Sequence, residues 1–565
     1  MKCTICQLNT TPNDFIGNFN QIKFGIEKAI KDGSDLVVFP ELSIPGYNIQ
    51  DLIYTSGFVE KNYEYLNKIC ELTKGNTKLN VLVGYVETNN NGKGKKFFNS
   101  AAHINNGYIK GKHNKWLLPH TDLFWESRWY EPGTDLLIIN IAGNKCGVAI
   151  CEEIFNDKGQ DDYDHHHNPI QKYRELNIDW LITLNSSPYV IGKPEKRIKM
   201  VEKICENSFG LIYVNEIGGN DDMVFDGHSF IMNKNGSLQA YLKNELIPVA
   251  NDLAKGAKGQ YLTVDTNFKG FVSHTEEDDE LKMILLGLYD YVKKSGFNEV
   301  CFGSSAGIDS ALVCALSTMC FGGENVHCIM MPSIYSSEGS VSDAKQLHKN
   351  FGVKEYLVPI EHVSKIEHMN THLGLVNYNK VADENFQARL RTMVSLHYSN
   401  ATGALALNTS NKTELCCGYF TLGEIASFDV IGDLYKNQVY KFARRINEIY
   451  KKDMINNLIL NKKASAELKP GQFDEDSLMP YEILDEICKG YIEEYISDLD
   501  TFKEYMIKNG NENIIIKYKN ILKERYYKIV NLIDRMEFKR RLSPLCTKIS
   551  SKAFGSGRRI PVTKG

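Results

Sequence analysis

Long apolar runs are missing from this sequence. No stretch approaches the ~18 apolar residues that a membrane-crossing helix needs. The longest candidate, Ala311 to Phe321, is interrupted by Ser317 and Thr318 and reads as a buried helix. The opening residues, Met-Lys-Cys-Thr-Ile-Cys-Gln-Leu-Asn-Thr-Thr-Pro, hold no apolar core of signal-peptide length. An excess of one charge is missing too. A net charge of −4 over 565 residues gives no electrostatic case for nucleic acid or an anionic membrane as a partner. The fourteen cysteines lack regular spacing, which suits reduced thiols in a cytoplasmic protein. No internal repeat is visible.

What is present reads as a globular chain of two or three domains: 42% of residues are hydrophobic and 24% charged. Cys3 and Cys6 form a C-x-x-C, but on a strand residues three apart point to opposite faces, so buried thiols are expected rather than a chelate. Short apolar runs at 35–40, 81–85, 146–151, 180–184 and 210–214 read as buried strands, with helices at 18–31 and 60–73 between some of them. That rhythm indicates a layered α/β domain. Around 255–271 the pattern dissolves into Gly- and Lys-rich sequence, followed by an acidic run at 276–280. A domain at 1–262, a linker at 263–275 and a second domain at 276–565 are therefore expected. The second series holds helix 280–294, strand 299–303, helix 310–319 and strands 327–332 and 404–407, with a mostly helical part from about Asp474. The tract from Asp161 to His167 reads as a solvated loop, since an isolated tract offers no fixed coordination geometry.

Three residues of the first half sit where chemistry would want them. Glu41 follows a strand, Cys151 ends another, and Lys115 precedes Trp116-Leu-Leu-Pro119. Carboxyl ends of strands converge on one edge of an α/β sheet. A thiol there, beside a carboxylate base and an ammonium, can attack an amide carbonyl. Spacing alone leaves packing roles equally open.

The local motifs decide between them. Phe39-Pro-Glu-Leu-Ser-Ile-Pro-Gly-Tyr47, Lys115-Trp-Leu-Leu-Pro119, Phe124-Trp-Glu-Ser-Arg128 and Cys151-Glu-Glu-Ile-Phe155 together resemble the nitrilase superfamily, in its glutaminase branch. The resemblance implies an α-β-β-α sandwich with Glu41 as general base, Lys115 stabilising the oxyanion, Cys151 as nucleophile and Glu126 as an assisting carboxylate. Asn185-Ser-Ser-Pro-Tyr-Val-Ile-Gly-Lys193 resembles the segment that holds glutamine, with Ser187 and Lys193 at the matching positions. Thr121 stands where the family usually has a tyrosine.

In the second half, Gly303-Ser304-Ser305-Ala306-Gly307-Ile308-Asp309-Ser310 lies between a strand and a helix. Small residues let backbone wrap a phosphate, and the amides of a helix start favour its charge. No Gly-Lys-Ser/Thr closes the loop, so it is not a Walker pattern. It resembles the pyrophosphate loop of ATP pyrophosphatases, with Ala306 in place of a glycine, tolerable only at negative φ.

Further segments, among them Glu384-Asn-Phe-Gln-Ala-Arg389, Thr409-Ser-Asn-Lys-Thr-Glu414, Ala464 to Asp476 and Phe538-Lys-Arg-Arg-Leu-Ser-Pro544, resemble the NAD(+) synthetase family in its order. That resemblance implies a doubly wound, Rossmann-like domain with a helical C-terminal part. It assigns ATP to residues 303–310, Thr409 and Lys436, deamido-NAD(+) to Asn385, Glu414 and Lys539, and Mg²⁺ to Asp309 and Glu414. It further implies L-glutamine as nitrogen source and a homo-oligomer; because ammonia at neutral pH is mostly ammonium, which lacks the nucleophilic lone pair, an enclosed path between the two sites is expected. The run Gly423-Glu-Ile-Ala-Ser427 is shortened against the family pattern. Two alternatives stay open on sequence: a related amidotransferase acting on another carboxylate, and a non-catalytic nucleotide-binding protein.

Overall fold

A computed structural model describes residues 1–158, 167–243, 258–266, 278–424, 426–465, 467–555 and 557–564. The tract at 161–166 and residues 255–257 and 267–271 of the expected boundary lie outside the described residues. Contacts divide the chain into two compact units, the first reaching Asp290 and the second running from Tyr291 onward.

The first unit is built on two six-stranded sheets. One comprises β1 (Lys2–Gln7), β2 (Leu36–Val38), β3 (Asn80–Thr88), β4 (Phe97–Asn105), β5 (Tyr108–Asn114) and β14 (Gln260–Asp265), in the order β14-β1-β2-β3-β4-β5. The other holds β6 (Leu137–Ile141), β7 (Asn144–Ile150), β8 (Trp180–Asn185), β9 (Gly210–Asn215), β12 (Ser229–Met232) and β13 (Leu238–Leu242), in the order β13-β12-β9-β8-β7-β6. A hairpin of β10 (Ile217–Asn220) and β11 (Met223–Asp226) lies beside them.

Strand alternation sorts side chains into layers. Leu36 and Val38 enter a core with Val148, Ile182 and Ile212 of the other sheet. Val37 points the opposite way, to α1 (Phe15–Lys31) and α2 (Phe58–Leu72). On the outer face of the second sheet, Leu181 and Leu211 pack against α3 (Pro169–Glu175) and α4 (Lys193–Cys205). The result is an α-β-β-α sandwich. Cys3 and Cys6 follow the same rule: Cys3 lies between the sheets and Cys6 on the helix side, both fully buried. All fourteen cysteines are buried thiols. β14 pairs with β1 through Asp265↔Lys2, so the strand runs three residues into the expected linker. Helix α5 (Asp279–Lys294) is anchored by Asp290, whose Oδ2 accepts from Asn9 Nδ2 at 2.9 Å and Gly219 N at 2.7 Å.

The second unit has one parallel sheet: β15 (Val300–Gly303), β16 (Val326–Met330), β17 (Lys354–Leu357), β18 (Leu405–Asn408) and β19 (Phe428–Asp429), in the order β17-β16-β15-β18-β19. Order reverses between β15 and β18, the switch point at which doubly wound sheets bind ligands. Helix α6 (Ile308–Phe321) is buried at every position but Asp309, as its apolar composition predicts. Around the sheet run α7 (Glu338–Phe351), α8 (Val363–Leu373), α9 (Val381–Thr402), α10 (Lys412–Cys417) and α11 (Lys436–Tyr450). The helical part holds α12 (Tyr481–Ile492), α13 (Leu499–Lys508) and α14 (Lys519–Arg535), which share a core through Ile487, Phe502 and Tyr526. The tail returns to the sheet: Asp429 N donates to Leu545 O, and Asp433 Oδ2 accepts from Ile549 N and Ser550 N, each at 2.7 Å. Among the described residues no helix is long and apolar enough to cross a membrane.

Candidate active sites

In the first unit, Glu41 after β2 and Lys115 after β5 converge with Glu126, which opens the short 3-10 helix Glu126–Arg128. Lys115 Nζ lies 2.6 Å from Glu41 Oε1 and 3.0 Å from both Glu126 oxygens. Glu41 Oε1 also accepts from Asn99 Nδ2 at 2.7 Å, and its Oε2 from Ser186 N at 3.1 Å. Tyr47 OH donates to Glu126 Oε1 at 2.8 Å. Gly84 of β3 allows the close approach of this loop, because a Cβ there would meet Leu42 N at 2.2 Å. Burial by itself would strip the Lys115 proton, but Glu126 and Glu41 hold its pKa well above the usual value. Burial lifts Glu126 to about 7, with the charge of Glu41 adding to the rise and Lys115 opposing it.

Cys151 follows β7 with φ of +44°. A non-glycine residue in that region is strained, as groups held at reactive elbows often are. Its thiol is raised well above the usual range by burial and by Glu41, so it rests protonated and needs a base to become a nucleophile. Glu153 braces the elbow. Its buried carboxylate accepts from Ile150 N, from Trp116 N at 2.9 Å and contacts His113 Nε2 at 2.9 Å. The residues flanking Cys151 and Lys115 are thus tied to one side chain.

Ser187 is buried, its amide on Asn215 Oδ1 at 2.9 Å and its hydroxyl accepting from Arg197 Nη2 at 3.4 Å. Arg197 is itself paired with Asp226 at 2.8 Å. Lys193 donates to Pro188 O at 2.9 Å. Thr121 accepts from Phe124 N in a partly exposed turn. Tyr47, Asn99, Ser186, Glu153 and Arg197 were not marked by sequence reasoning as members of this site. Asn99 is a fully buried amide in the strand Phe97-Phe98-Asn99-Ser100-Ala101.

In the second unit a cavity of about 550 Å³ opens at the switch point. Gly303, Ser304, Ser305, Gly307, Ile308, Asp309 and Ser310 line it, as do Asn385, Thr409, Glu414, Lys436 and Lys539. Ala306 does not. It is fully buried, and its φ is +57°, not the negative value that a methyl group prefers. The loop must reverse sharply between β15 and α6, and Ala306 bears that turn in left-handed backbone.

Asp309 and Glu414 meet on one ammonium, Lys436 Nζ lying 2.5 Å from Asp309 Oδ2 and 3.3 Å from Glu414 Oε1. Lys436 therefore stands against carboxylates here. Glu414 is also the third residue of α10 and completes a capping box with Asn411. Burial and the charge of Asp309 push Glu414 up to about 8. Two carboxylates so close are both ionised only when a cation sits with them, and their hard oxygens suit Mg²⁺. Among the described residues no three His, Cys, Asp or Glu side chains are grouped to hold a metal unaided. Lys539 donates to Gly418 O and Phe420 O at 2.9 and 2.8 Å, and Asn385 Oδ1 accepts from Thr421 Oγ1 at 2.8 Å. Both hold the 418–424 segment as well as facing the cavity.

Fold and sites together define an enzyme that joins a carbon–nitrogen hydrolase unit to an ATP-using synthetase unit. The carbon-nitrogen hydrolase family model matches residues 2–246, and the NAD synthase model residues 280–543. The glutamine-dependent NAD(+) synthetase of Thermotoga maritima is 34% identical over 600 aligned positions, covering 100% of this chain and 98% of that protein. That of Synechocystis sp. is 34% identical over 574 positions, covering 99% and 98%. The structure of the glutamine-dependent NAD+ synthetase from Acinetobacter baumannii, in complex with adenosine diphosphate, matches with a TM-score of 0.73 at 29% identity, over 99% of this chain and 98% of that one. This chain belongs to the glutamine-dependent NAD(+) synthetase family.

Proposed function

We propose that the first unit hydrolyses L-glutamine and the second uses the released ammonia to amidate deamido-NAD(+). Glu41 takes the Cys151 proton as sulfur attacks the side-chain carbonyl, and Lys115 offsets the charge on the oxyanion. Glu41 returns that proton to the departing nitrogen, ammonia leaves, and a glutamyl thioester remains. Water, deprotonated by Glu41, then releases glutamate and restores the thiol. Ser187 and Lys193 bind the amino-acid end of glutamine, with Thr121 at the edge of that pocket. Glu126 keeps the Lys115 ammonium in place.

In the second unit the nicotinate carboxylate attacks the α-phosphorus of ATP, pyrophosphate leaves, and an acyl adenylate forms. Ammonia attacks its carbonyl carbon, a proton is lost, and AMP departs, leaving the amide of NAD(+). The loop 303–310 and Thr409 receive ATP, while Asn385 and Lys539 face the dinucleotide. Asp309 and Glu414 would hold Mg²⁺, which when bound neutralises phosphate charge. Lys436 offers its ammonium to the phosphates once those carboxylates turn to the cation.

The observation that carries this reading is the convergence of Glu41, Lys115 and Glu126 around one buried ammonium in the unit that bears the Cys151 elbow. Two nitrogen donors test it. Cys151→Ala is expected to lose glutamine-dependent synthesis and keep synthesis from ammonium chloride. A variant dead with both donors, or a wild type making no NAD(+) from deamido-NAD(+), overturns it. Helix α9 supports self-association: only Gln387 and Ala388 are buried along its 22 residues, and Met393 is 61% exposed. Light scattering on Met393→Asp tests a homo-oligomer, which that charge should weaken.

A further inference from the structure

Behind the phosphate loop runs a Ser–His–Glu chain, buried at Ser304 and His348 and open to solvent at Glu355, that neither reaction above uses. Ser304 Oγ lies 2.9 Å from His348 Nε2, and His348 Nδ1 lies 3.1 Å from Glu355 Oε2. Ser304 opens the loop at the end of β15, His348 sits in the last turn of α7, and Glu355 belongs to β17. One hydrogen-bonded line therefore joins β15, α7 and β17. Ser304 is 5% and His348 1% exposed, a location where polar groups are costly unless each finds a partner.

The direction of the chain follows from its chemistry. An ionised carboxylate only accepts, so Nδ1 carries the ring proton and Nε2 is left to accept from the Ser304 hydroxyl. Burial pushes His348 below its usual pKa, against the pull of Glu355, and this keeps the ring neutral. The backbone of Ser304 is fixed as well, its amide donating to Ile329 O at 2.9 Å. Ser304 is thus tied to β16 through its amide and to α7 through its hydroxyl. The residues after it close on themselves, Ser305 N reaching Ser310 Oγ at 3.3 Å and Gly307 N reaching Ser305 Oγ at 3.2 Å.

We propose that Ser304, His348 and Glu355 form a positioning chain for the phosphate loop, and that the Ser304 hydroxyl serves the imidazole, not the phosphates of ATP. This rests on the ATP-site reading given above. By fixing the loop's first residue against α7 and β17, the chain sets where the following amides stand when ATP arrives. Its loss loosens ATP binding and leaves the chemical step alone. The order of groups matches a nucleophile–base–acid relay, but no acyl or phosphoryl transfer to serine is needed for an adenylate that ammonia consumes.

Steady-state kinetics with ammonium chloride as nitrogen donor keep the glutaminase site out of the measurement. Ser304→Ala and His348→Leu are each expected to raise the KM for ATP about fivefold, the size of one hydrogen bond's net contribution, with kcat preserved. The double variant should lose no more than either single one, since both break the same line. His348→Gln, which keeps an acceptor for the Ser304 hydroxyl, should recover part of the loss, and Glu355→Gln should be milder than Glu355→Leu. A KM for ATP unmoved in variants whose melting temperature has dropped would reduce the chain to a structural pair and overturn the proposal. Independent, multiplying losses in the double variant would overturn it too. A wild type without NAD(+) synthesis would instead defeat the functional reading, so the two failures are distinct.

Discussion

The Lys115 ammonium lies 2.6 Å from the Glu41 carboxylate, with both side chains closed off from solvent. Glu126 shares the same nitrogen at 3.0 Å, so one positive charge serves two acids. Removing one partner of a buried ion pair costs about 3–5 kcal/mol, because the charge left behind has no water to solvate it. Lys115→Met is expected to abolish glutamine hydrolysis and lower the melting temperature measured by calorimetry. A variant as stable as wild type would contradict the arrangement.

Glu126 gives a pH signature. Burial lifts its carboxyl from 4.5 to about 7, so the folded state prefers the protonated form. The associated stabilisation is complete below pH 4.5 and is lost as pH rises through about 7. Glu126→Gln removes this dependence. Melting temperatures of the two proteins should diverge across that window, wild type falling relative to the variant. A constant difference from pH 4.5 to 7 would disprove it.

Asn99 reaches both acids, Glu41 at 2.7 Å and Glu126 at 3.5 Å. Carboxylates only accept, so the amide nitrogen must be the end that faces them. Asn99→Ala leaves Glu41 short of one donor. It is expected to cut glutamine-dependent turnover about 10–100-fold, as loss of a group that orients a catalytic side chain does. Synthesis from ammonium chloride should stay intact. Equal loss with both donors would show that Asn99 matters only for folding.

Ala306 holds left-handed backbone at φ +57°, a strain of roughly 1–2 kcal/mol for a residue with a Cβ. Ala306→Gly relieves it, less the extra chain entropy that glycine loses on folding, roughly 0.5–1 kcal/mol. A rise in melting temperature is expected, read by thermal denaturation. A fall would show that the buried methyl packs better than the backbone is strained.

The buried strands β2, β3, β7, β8 and β9 were legible because each is apolar on both faces, so its run stands out against polar loops. The four-residue strands β10 and β11 were not, since Ile217-Gly-Gly-Asn220 carries no periodicity that outweighs a turn. Glu41, Lys115 and Cys151 could be found at strand ends. Their partners could not: Asn99 and Ser186 lie 58 and 145 residues from Glu41 along the chain, and only sheet topology joins them. Ser304 and His348 show the reverse failure. Ser304 reads as one more small residue of a phosphate loop, and nothing local to it announces an imidazole 44 residues on.

The strap formed by Leu545, Ile549 and Ser550 on Asp429 and Asp433 sets an order of events at the ribosome. The strands of the first sandwich are all present once Asp265 has been translated, whereas the wall that carries Lys436 stays unpinned until this strap emerges. The first unit still needs the helix whose Asp290 bonds Asn9 and Gly219, but nothing of this strap. A chain ending just before Leu545 would lack the strap on Asp429 and Asp433 and leave the wall that carries Lys436 without these pins.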